Sequence, residues 1–579
     1  MDYDLIIRGG TIVDGMGGEP FAGDVAVKGG RIAAIGRIEG SARDEIDANG
    51  MLVTPGFVDV HTHYDGQALW SERLAPSSQH GVTTAVMGNC GVGFAPVRAG
   101  DQDLLILAME GVEDIPGAVM NAGLSWDWET FPQFLDALDS RPRDIDVAAY
   151  LPHSALRLYV MGERGANREP ATPDDIEAMK EQAREAMAAG AIGFSTSRIQ
   201  THRRSDGEFI PSYGAAVSEL KAIAGEAARG GGIFQIVPDL VETGEKDEAR
   251  KRFDLLCDIA RETGAHLTFS VAQMPQAPGL LHDILSWLTD ANKEQGVSIS
   301  CQTFPRPVGL VVGLELSAHP FLLCPTYVAM AERPLAERVA EMRKPEVRSR
   351  LLAEHPDQPV NVLTKMSALF GQMYAFGKTP DYEPPVEHSI ANIAEHSGIL
   401  PAEVIYDVLL EDEGHGKAMV AISNYVLGSL DFLRDVLRQP GVVVGLGDGG
   451  AHYGLVCDAS YPTFMLTHWG RDRAAGSIPL PEVVRMLTSI PATMVGFGDR
   501  GRLAVGMKAD INVIDHGALT LESPTVSFDL PGGGRRLMQG ARGFKATIVS
   551  GTAILRNDQP TGALPGKLVR GRQTEPVRA

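Results

Sequence analysis

Two histidines separated by one residue form the strongest chemical motif of the sequence. His61 and His63 directly follow an apolar run at residues 56–60. Side chains two positions apart on an extended chain point to the same side, so both imidazoles can reach one metal ion. At the C-terminal end of a barrel strand, where the active sites of such barrels form, this pair predicts a metal site.

A cysteine and an aspartate follow two other apolar runs. Cys90 comes after residues 83–87 and stands close to glycines, and Asp448 comes after residues 442–446. A small buried residue is the plain alternative for Cys90, and a turn is the alternative for Asp448. At strand ends, however, a thiolate is a good metal ligand, and a carboxylate can bind the metal and also accept a proton from water. We therefore expect Cys90 to be a ligand and Asp448 to be both ligand and catalytic base.

Eight apolar runs, each followed by a helix-like stretch, would position these residues. The runs cover residues 56–60, 83–87, 147–151, 191–195, 233–237, 266–271, 297–303 and 442–446. Among the helices, residues 174–189 are well marked, because Thr172-Pro173 precedes an acidic first turn and Gly190 follows the end. Repeated strand–helix units predict an α/β fold, specifically a (β/α)8 TIM-like barrel over residues 56–498.

The remaining sequence predicts two further parts. Short strands separated by glycine pairs fill residues 1–55, and similar apolar runs return within residues 499–579, so we expect both chain ends to build one small β-sandwich domain. The long stretch between the last two barrel runs predicts an inserted lid region at about residues 320–397.

Composition excludes several functional classes. The chain has 579 residues with 52 Lys and Arg against 74 Asp and Glu, a net charge of −22 that opposes binding to nucleic acid or to anionic membranes. The five cysteines are scattered and odd in number, which argues against a disulfide framework. With no signal-like start and no membrane-length apolar stretch, we expect a cytoplasmic protein that acts on a small molecule, and we expect a homo-oligomer on weaker grounds.

Together these features resemble the amidohydrolase superfamily, and within it the N-acyl-D-amino-acid deacylase (D-aminoacylase) family. The resemblance rests on His61 and His63, on residues 81–91 and 193–196, on Asp448-Gly449, and on residues 506–510. It implies zinc-dependent hydrolysis of an amide, with His61, His63, Cys90 and Asp448 at the metal. It also implies an active-site role for His153, for which a packed core histidine is the alternative.

The sequence departs from this family at four positions. The family's histidines after strands five and six correspond here to Val237 and Val271, which cannot bind a metal, so we expect one Zn²⁺ per chain, with another divalent metal as an alternative. The family's carboxylate-binding lysine and arginine correspond to Gln273 and Ala459. The substrate contacts that we predict instead are His153, Arg198, His202 and His452.

These expectations define one main hypothesis and two alternatives. The main hypothesis is a zinc-dependent amidohydrolase that cleaves the C–N amide bond of an N-acyl amino acid or a related compound by metal-activated water. A metal-dependent hydrolase of a cyclic amide, or a deaminase, is the second reading, because the barrel does not fix the reaction. A metal-poor binding homologue without hydrolase activity is the third, and the two valines favour it.

Overall fold

The structure, a computed structural model, describes residues 1–294, 296–354 and 366–576. It is a mixed α/β protein, as the sequence predicts, and each of the eight predicted runs contains a strand. The parallel strands are Phe57–Asp59, Val82–Met87, Asp146–Ala149, Leu151–Pro152, Gly193–Ser197, Ile233–Val237, His266–Ser270, Ile299–Thr303 and Val442–Val444.

These parallel strands lie side by side in the order of the sequence. The first three form one sheet and the other six form a second sheet, because the third predicted run is interrupted at Tyr150. Between the first and last strands, no strand ladder is recorded in the described residues. Two backbone hydrogen bonds join the loops there, from Asp448 N to His61 O (3.1 Å) and from His63 N to Gly449 O (2.8 Å). The C-terminal ends of these two strands are therefore neighbours.

Helices follow most of the parallel strands. Residues 174–189 are helical as predicted, in Pro173–Ala189, with Thr172 in a capping box and Gly190 in a left-handed conformation at φ 107°. The α-helices of the described chain are Gln67–Trp70, Gln102–Glu113, Gly117–Gly123, Phe131–Asp139, His153–Met161, Glu163–Ala166, Pro173–Ala189, Val217–Arg229, Lys246–Thr263, Leu280–Ala291, Pro325–Val328, Leu335–Met342, Pro345–Ala353, Ile390–Ser397, Pro401–Leu410, Asp431–Leu437, Tyr461–Phe464, Leu480–Leu487 and Ser489–Met494. None of the described helices is long and apolar enough to cross a membrane.

Both chain ends contribute to one nine-stranded sheet. N-terminal strand Leu52–Pro55 pairs antiparallel with C-terminal strand Ile511–Ile514, which joins the two halves. The strands of this sheet are Tyr3–Ile12, Phe21–Lys28, Arg31–Gly36, Ala42–Asp47, Leu52–Pro55, Ile511–Ile514, Phe544–Val549, Thr552–Arg556 and Gln559–Pro560. Tyr3–Ile12 pairs with three of them, so the sheet branches there. The predicted sandwich boundaries at residues 55 and 499 stay predictions.

The predicted insertion at about residues 320–397 stays a prediction, and strands on both sides of this stretch form a separate sheet with one strand inside it. Three antiparallel strands, Val308–Gly313, Met373–Ala375 and Lys417–Ser423, form this sheet. A separate cluster of buried apolar side chains between Val312 and Val420 covers this sheet. The first and last strands pair over a long sequence distance, which the local pattern did not reveal. Residues 355–365 of the predicted insertion lie outside the described residues.

A buried ion network connects the terminal sheet to the parallel strands. Asp146, on the third of these strands, contacts Arg500 Nη1 at 2.7 Å and Lys508 Nζ at 3.1 Å. Both cations precede strand Ile511–Ile514, and Lys508 Nζ also contacts Asp510 Oδ1 at 2.5 Å. Buried charges are stable only when they are paired and hydrogen-bonded, so this network fixes the two parts against each other.

Candidate metal centre

Four side chains from distant parts of the sequence meet at the C-terminal ends of the parallel strands. His61 Nε2 lies 3.3 Å from Cys90 Sγ and 3.7 Å from Asp448 Oδ1. His63 Nε2 lies 3.9 Å from Cys90 Sγ and 3.6 Å from Asp448 Oδ1. The two histidines and Cys90 are buried, and the Asp448 side chain is 22% exposed. The structure thus brings together the four residues that the sequence predicts as metal ligands.

The backbone at these positions is strained. Cys90, Asp448 and His452 have φ values of 59°, 46° and 49°, in the left-handed region that residues other than glycine seldom adopt. Gly88, two residues before the cysteine, has φ 76°, and a Cβ there would stand 2.6 Å from the carbonyl oxygen of Tyr150. Strained residues of this kind cluster at functional sites, where the surrounding structure holds them in place.

The charges of the four groups suit a cation. Burial lowers the pKa of His61 to about 4 and also lowers the pKa of His63, so both rings are neutral. Burial alone would raise the pKa of Asp448, but the neighbouring His63 and His61 side chains keep the pKa below its usual range. Burial raises the pKa of the Cys90 thiol in the metal-free protein. An ionised carboxylate beside two neutral imidazoles is a donor set for a divalent metal.

A glutamine fixes which nitrogen of His61 carries the proton. Gln302, on strand Ile299–Thr303, places Oε1 2.8 Å from His61 Nδ1, and its Nε2 donates to Thr268 Oγ1 at 3.3 Å. Because Oε1 only accepts hydrogen bonds, Nδ1 of the neutral ring must carry the proton. His61 Nε2 therefore presents a lone pair toward Cys90 and Asp448. This arrangement is typical of the outer partners that orient metal-binding histidines.

Strand Ile233–Val237 places the carboxamide of Gln235, rather than a histidine, beside the site. Gln235 Oε1 accepts a hydrogen bond from Cys90 N at 3.1 Å, and its Nε2 is buried without a partner among the described residues. Val237 and Val271, at the positions of the two family histidines, offer no lone pair. The histidine-rich second metal position of the resembling family therefore has no counterpart at these two residues.

Glu113 is a site residue that sequence reasoning missed. It ends the helix Gln102–Glu113, its side chain is 1% exposed, and its Oε2 lies 3.3 Å from His63 Nε2 and 3.5 Å from His452 Nε2. Burial, together with the charges of Asp448 and Asp65, raises the pKa of this carboxyl well above its usual value. No motif surrounds Glu113 in the sequence.

The four predicted substrate contacts differ in their position relative to these ligands. His452 reaches the cluster through Glu113, as above. His202 has a buried Nδ1 with no partner among the described residues, and burial, with smaller effects from His452, His63 and His61, lowers its pKa to about 3. The guanidinium of Arg198 donates to Ala215 O at 3.1 Å, and no described contact joins it to the cluster.

His153 lies in a separate buried network. Its Nδ1 lies 2.8 Å from Thr196 Oγ1, and its Nε2 lies 2.8 Å from Glu219 Oε1. Glu219 Oε1 also accepts a hydrogen bond from Arg157 Nη1 at 2.6 Å. The ring packs against Phe194 on strand Gly193–Ser197. Both ring nitrogens are thus occupied, and no contact in the described part of the chain joins His153 to the four ligand residues. The alternative reading, a packed histidine, matches this placement.

An arginine that the sequence did not single out reaches the loop after the last parallel strand. Arg306 follows strand Ile299–Thr303, is buried, and donates to Ser460 Oγ, Cys457 O and Asp458 Oδ1, each at 3.0 Å. Ala459 lies in this same loop. The Gln273 side chain donates to Pro278 O at 3.3 Å. Arg306 is committed to these groups, so it stabilises the loop and is not free to bind a substrate carboxylate.

The donor atoms fit a zinc ion by their chemistry. Zinc bonds of about 2.0–2.3 Å in tetrahedral geometry hold ligand atoms roughly 3.3–3.7 Å apart. The histidine nitrogens lie 3.3 and 3.9 Å from Cys90 Sγ and 3.7 and 3.6 Å from Asp448 Oδ1, and of the described residues His61, His63 and Cys90 form the group whose ligand atoms all lie within 4.8 Å of one another. Asp448 Oδ1 is also buried without a hydrogen-bond partner among the described residues, as expected of an atom that faces a metal. The residues present therefore fit the metal that the sequence predicts.

Comparison with known proteins gives a consistent family and fold. Residues 44–554 match the amidohydrolase family. The D-aminoacylase of Alcaligenes xylosoxydans xylosoxydans is 26% identical over 574 residues, 98% of this chain and 97% of that protein. The N-acyl-D-glutamate deacylase of the same organism is 25% identical over 98% of this chain and 96% of its own length.

Solved structures show the same similarity. A crystal structure of D-aminoacylase superposes with a TM-score of 0.66 at 24% identity, covering 98% of this chain and all of the other. The N-acyl-D-glutamate deacylase from Bordetella bronchiseptica, solved with zinc and a phosphonate mimic of the tetrahedral intermediate, gives a TM-score of 0.65 at 24% identity over 98% of this chain and 100% of that one. At these identities the structures establish a shared fold.

Proposed function

The chain belongs to the amidohydrolase family, and we propose that it is a zinc-dependent hydrolase that cleaves the C–N amide bond of an N-acyl amino acid or a related small N-acyl compound. One observation carries the proposal. Two imidazoles and a thiol from two strand ends lie within 4.8 Å of one another, and a carboxylate from a third strand end lies 3.6–3.7 Å from both imidazoles. A site of this composition at strand ends is suited to metal-assisted hydrolysis.

We propose that the parallel strands close into a (β/α)8 barrel. The loop hydrogen bonds between His61 and Asp448 and between His63 and Gly449 support closure of the first strand against the last. A buried cluster that contains Val58, Val86, Ala148 and Val443 also supports it, because these side chains come from the first, second, third and last strands. A packed interior shared by strands from both edges is what a barrel requires.

We propose that His61, His63, Cys90 and Asp448 hold one zinc ion per chain. When bound, the ion supplies the positive charge that activates a water molecule and polarises the amide carbonyl. Single occupancy is favoured because Val237 and Val271 remove two ligands from the second position. The neighbouring Gln235 and Gln302 are hydrogen-bonded to the backbone of Cys90 and to His61, respectively, so they act as supports.

The chain's own residues divide the remaining tasks. Asp448 is ionised: its Oδ1 would hold the ion, and its other carboxylate oxygen accepts the proton of the attacking water and then delivers it to the leaving nitrogen. Nε2 of His61 and Nε2 of His63 lie 3.7 and 3.6 Å from Asp448 Oδ1, so the three side chains would face the same ion. His202, whose buried Nδ1 has no protein partner in the described chain, donates to the oxygen of the substrate carbonyl or holds its acyl group. His452 contacts the substrate from the adjoining loop.

Relatives support the substrate class. Two relatives that match 98% of the chain are named D-aminoacylase and N-acyl-D-glutamate deacylase, and a further relative, N-acyl-D-aspartate deacylase, is 32% identical over 312 residues, 52% of this chain and 56% of its own length. The absence of a cation at Gln273 and Ala459 favours a substrate whose acyl part, rather than a free carboxylate, supplies most of the contact area. We propose a larger or less charged amide than the relatives' names describe.

A product screen tests the proposed reaction. The zinc-loaded protein is incubated with N-acyl-D-amino acids, their L-enantiomers, aromatic amides and cyclic imides, and free amine and carboxylate are quantified. We expect release of an amine and an acid from linear N-acyl compounds, with the chelated protein as the inactive control. Opening of cyclic imides alone, or release of ammonia, would establish one of the other metal-dependent reactions. Stoichiometric binding without turnover of any compound would establish a binding homologue.

We further propose a cytoplasmic location and a homo-oligomeric assembly. All five cysteines are free and buried, which is in keeping with a reducing compartment. Fractionation of cells and light scattering of the purified protein test these two predictions.

A further inference from the structure

A large cavity lies at the end of the parallel strands opposite the metal centre. Its volume is about 1100 Å³, and its lining includes His266, Ser300 and Val442, at or next to the first residues of three neighbouring strands. The metal centre follows the other ends of the parallel strands, and a five-residue strand such as Ile299–Thr303 is about 13 Å long. Cavities that bind small molecules usually have volumes of roughly 300–1,000 Å³, so this one has room for a ligand of its own.

Apolar side chains form much of the cavity wall. Five of them are at most 8% exposed: Leu437, Val442, Met486, Met494 and Phe497. The two methionines are flexible and can fit an irregular ligand. His266 adds no charge to the wall, because burial, together with the nearby Arg572, lowers its pKa to about 4. Its two ring nitrogens lie 2.7 and 3.0 Å from serine hydroxyls. A hydrocarbon would displace water from this wall, which is favourable.

The lining of the cavity is rich in positive charge, in contrast to the chain as a whole. Five arginines and two glutamates line the cavity, while the net charge of the chain is −22. Three of the arginines have carboxylate partners: Arg438 with Glu482, Arg500 with Asp146, and Arg502 with Glu575. The other two, Arg485 and Arg572, are exposed and have no ion-pair partner in the described part of the chain. The cavity therefore has two positive charges that are available to an anion.

The local structure holds these two charges beside the apolar wall. The residue after Arg572 donates its backbone N–H to Gly496 O at 3.0 Å. A Cβ at Gly496 would stand 2.8 Å from Arg572 Nε, so the glycine leaves the space that the guanidinium group occupies. Gly496 directly precedes Phe497 of the wall, and Arg485 directly precedes Met486. A ligand that covers the wall can therefore reach both cations.

We propose that this cavity is a binding site for a small amphipathic anion, a molecule with an unbranched hydrocarbon chain and one carboxylate group. The hydrocarbon packs against Met486, Met494 and Phe497, and the carboxylate lies beside Arg485 and Arg572. Apolar walls with a few well-placed polar groups are typical of small-molecule sites. An inorganic anion would leave the wall uncovered, and a neutral hydrocarbon would leave the two cations without a partner. The inference goes beyond the proposed hydrolysis and does not depend on it.

Equilibrium dialysis with labelled decanoate tests the proposal. Acetate supplies the carboxylate without the hydrocarbon, and 1-decanol supplies the hydrocarbon without the charge. The test variant is the double substitution Arg485→Ala and Arg572→Ala. The matched control is Arg43→Ala with Arg556→Ala, which removes two arginines from the terminal sheet. Binding is measured on zinc-loaded and on chelated protein, because a carboxylate can also bind zinc, and circular dichroism reports the folding of each variant.

We expect decanoate to bind at about one site per chain, with the same Kd in zinc-loaded and chelated protein. Affinity should rise about 4-fold for each methylene group added from octanoate to dodecanoate, because each one buries more hydrocarbon. The test variant should bind decanoate about 10-fold more weakly than wild type, because it loses both cations, and the control should match wild type. Acetate should not bind.

Four results would overturn the proposal. They are no binding of decanoate, equal binding of 1-decanol, unchanged binding in a folded test variant, and binding that disappears when zinc is removed. The last result would place the ligand at the metal centre and would leave the proposed function intact. The chain-length series and the comparison with 1-decanol need only the wild-type protein, so they decide the matter even where a variant does not fold.

Discussion

Removing the hydrogen-bond acceptor behind His61 should weaken zinc binding without touching a ligand. In Gln302→Met the side chain keeps its approximate volume but cannot accept the 2.8 Å hydrogen bond from His61 Nδ1. The ring can then move its proton to Nε2, which removes the lone pair that faces Cys90 and Asp448, or leave a buried N–H without a partner. Loss of such an outer partner costs roughly 10- to 100-fold in metal affinity. That factor corresponds to about 1.4–2.7 kcal/mol.

Chelator competition at pH 7.5 measures this effect, and a second substitution controls for packing. Gln302→Glu keeps an oxygen that accepts from Nδ1, so its zinc Kd should stay at or below that of wild type. Both variants lose the Gln302 Nε2 group that donates to Thr268 Oγ1. The difference in zinc Kd between the two variants therefore reports the loss of the oxygen that accepts from His61 Nδ1. Wild-type affinity in Gln302→Met would refute the argument that this glutamine sets the protonation of His61.

Three other predictions address the base, a substrate contact and the inserted region. Asp448→Asn should lower kcat by at least about 100-fold, measured as amine release, because it removes the proton acceptor while leaving other ligands in place. His153→Phe should lower stability by about 1–3 kcal/mol in urea unfolding with KM within about two-fold of wild type, because it breaks a buried network. Glu383→Gln should destabilise the protein by about 2 kcal/mol at pH 6, and by much less at pH 3, in thermal unfolding.

The pH dependence at Glu383 follows from its partners. Burial alone would raise the pKa of this carboxyl, but Arg473 and His468 hold it at about 2 against an ordinary 4.5. A carboxyl with a lowered folded-state pKa stabilises the protein fully above its unfolded pKa, and this contribution is lost as the pH falls from about 4.5 toward about 2. Wild type and Glu383→Gln should therefore converge in acid. A constant difference would contradict this account.

Outcomes that oppose the other two predictions are equally distinct. Activity retained in Asp448→Asn would remove that residue from the role of base. A KM raised more than about 10-fold in a stable His153→Phe would restore the predicted substrate contact and would show that the His153–Glu219 network opens during binding.

Periodic features were readable from the sequence because local patterns encode them. Strands such as Ile233–Val237 coincide with apolar runs, and the helix Pro173–Ala189 has its start and end marked by Thr172 and Gly190. Positions at strand ends predicted that His61 and Cys90 would meet, since parallel strands present their C-terminal ends at one edge. These predictions needed only chain direction and spacing.

Features that depend on side chains meeting across the fold were not readable. Glu113 reaches His63 from a helix, and no spacing rule places that helix end over the site. His153 is drawn into its network by Glu219, 66 positions away. The pairing of Val308–Gly313 with Lys417–Ser423 was not predicted, because several helices lie between these two strands in the sequence. Tertiary partners decide each of these cases.

Zinc reconstitution tests the central claim most directly. The protein is stripped with a chelator and zinc is returned stepwise, while bound zinc and hydrolysis of a linear N-acyl amino acid are measured in the same samples. We predict no turnover in the stripped protein and a linear rise that reaches its maximum at about one bound ion per chain. Full turnover in the stripped protein, or tight zinc binding that never produces hydrolysis, would contradict a zinc-dependent amidohydrolase.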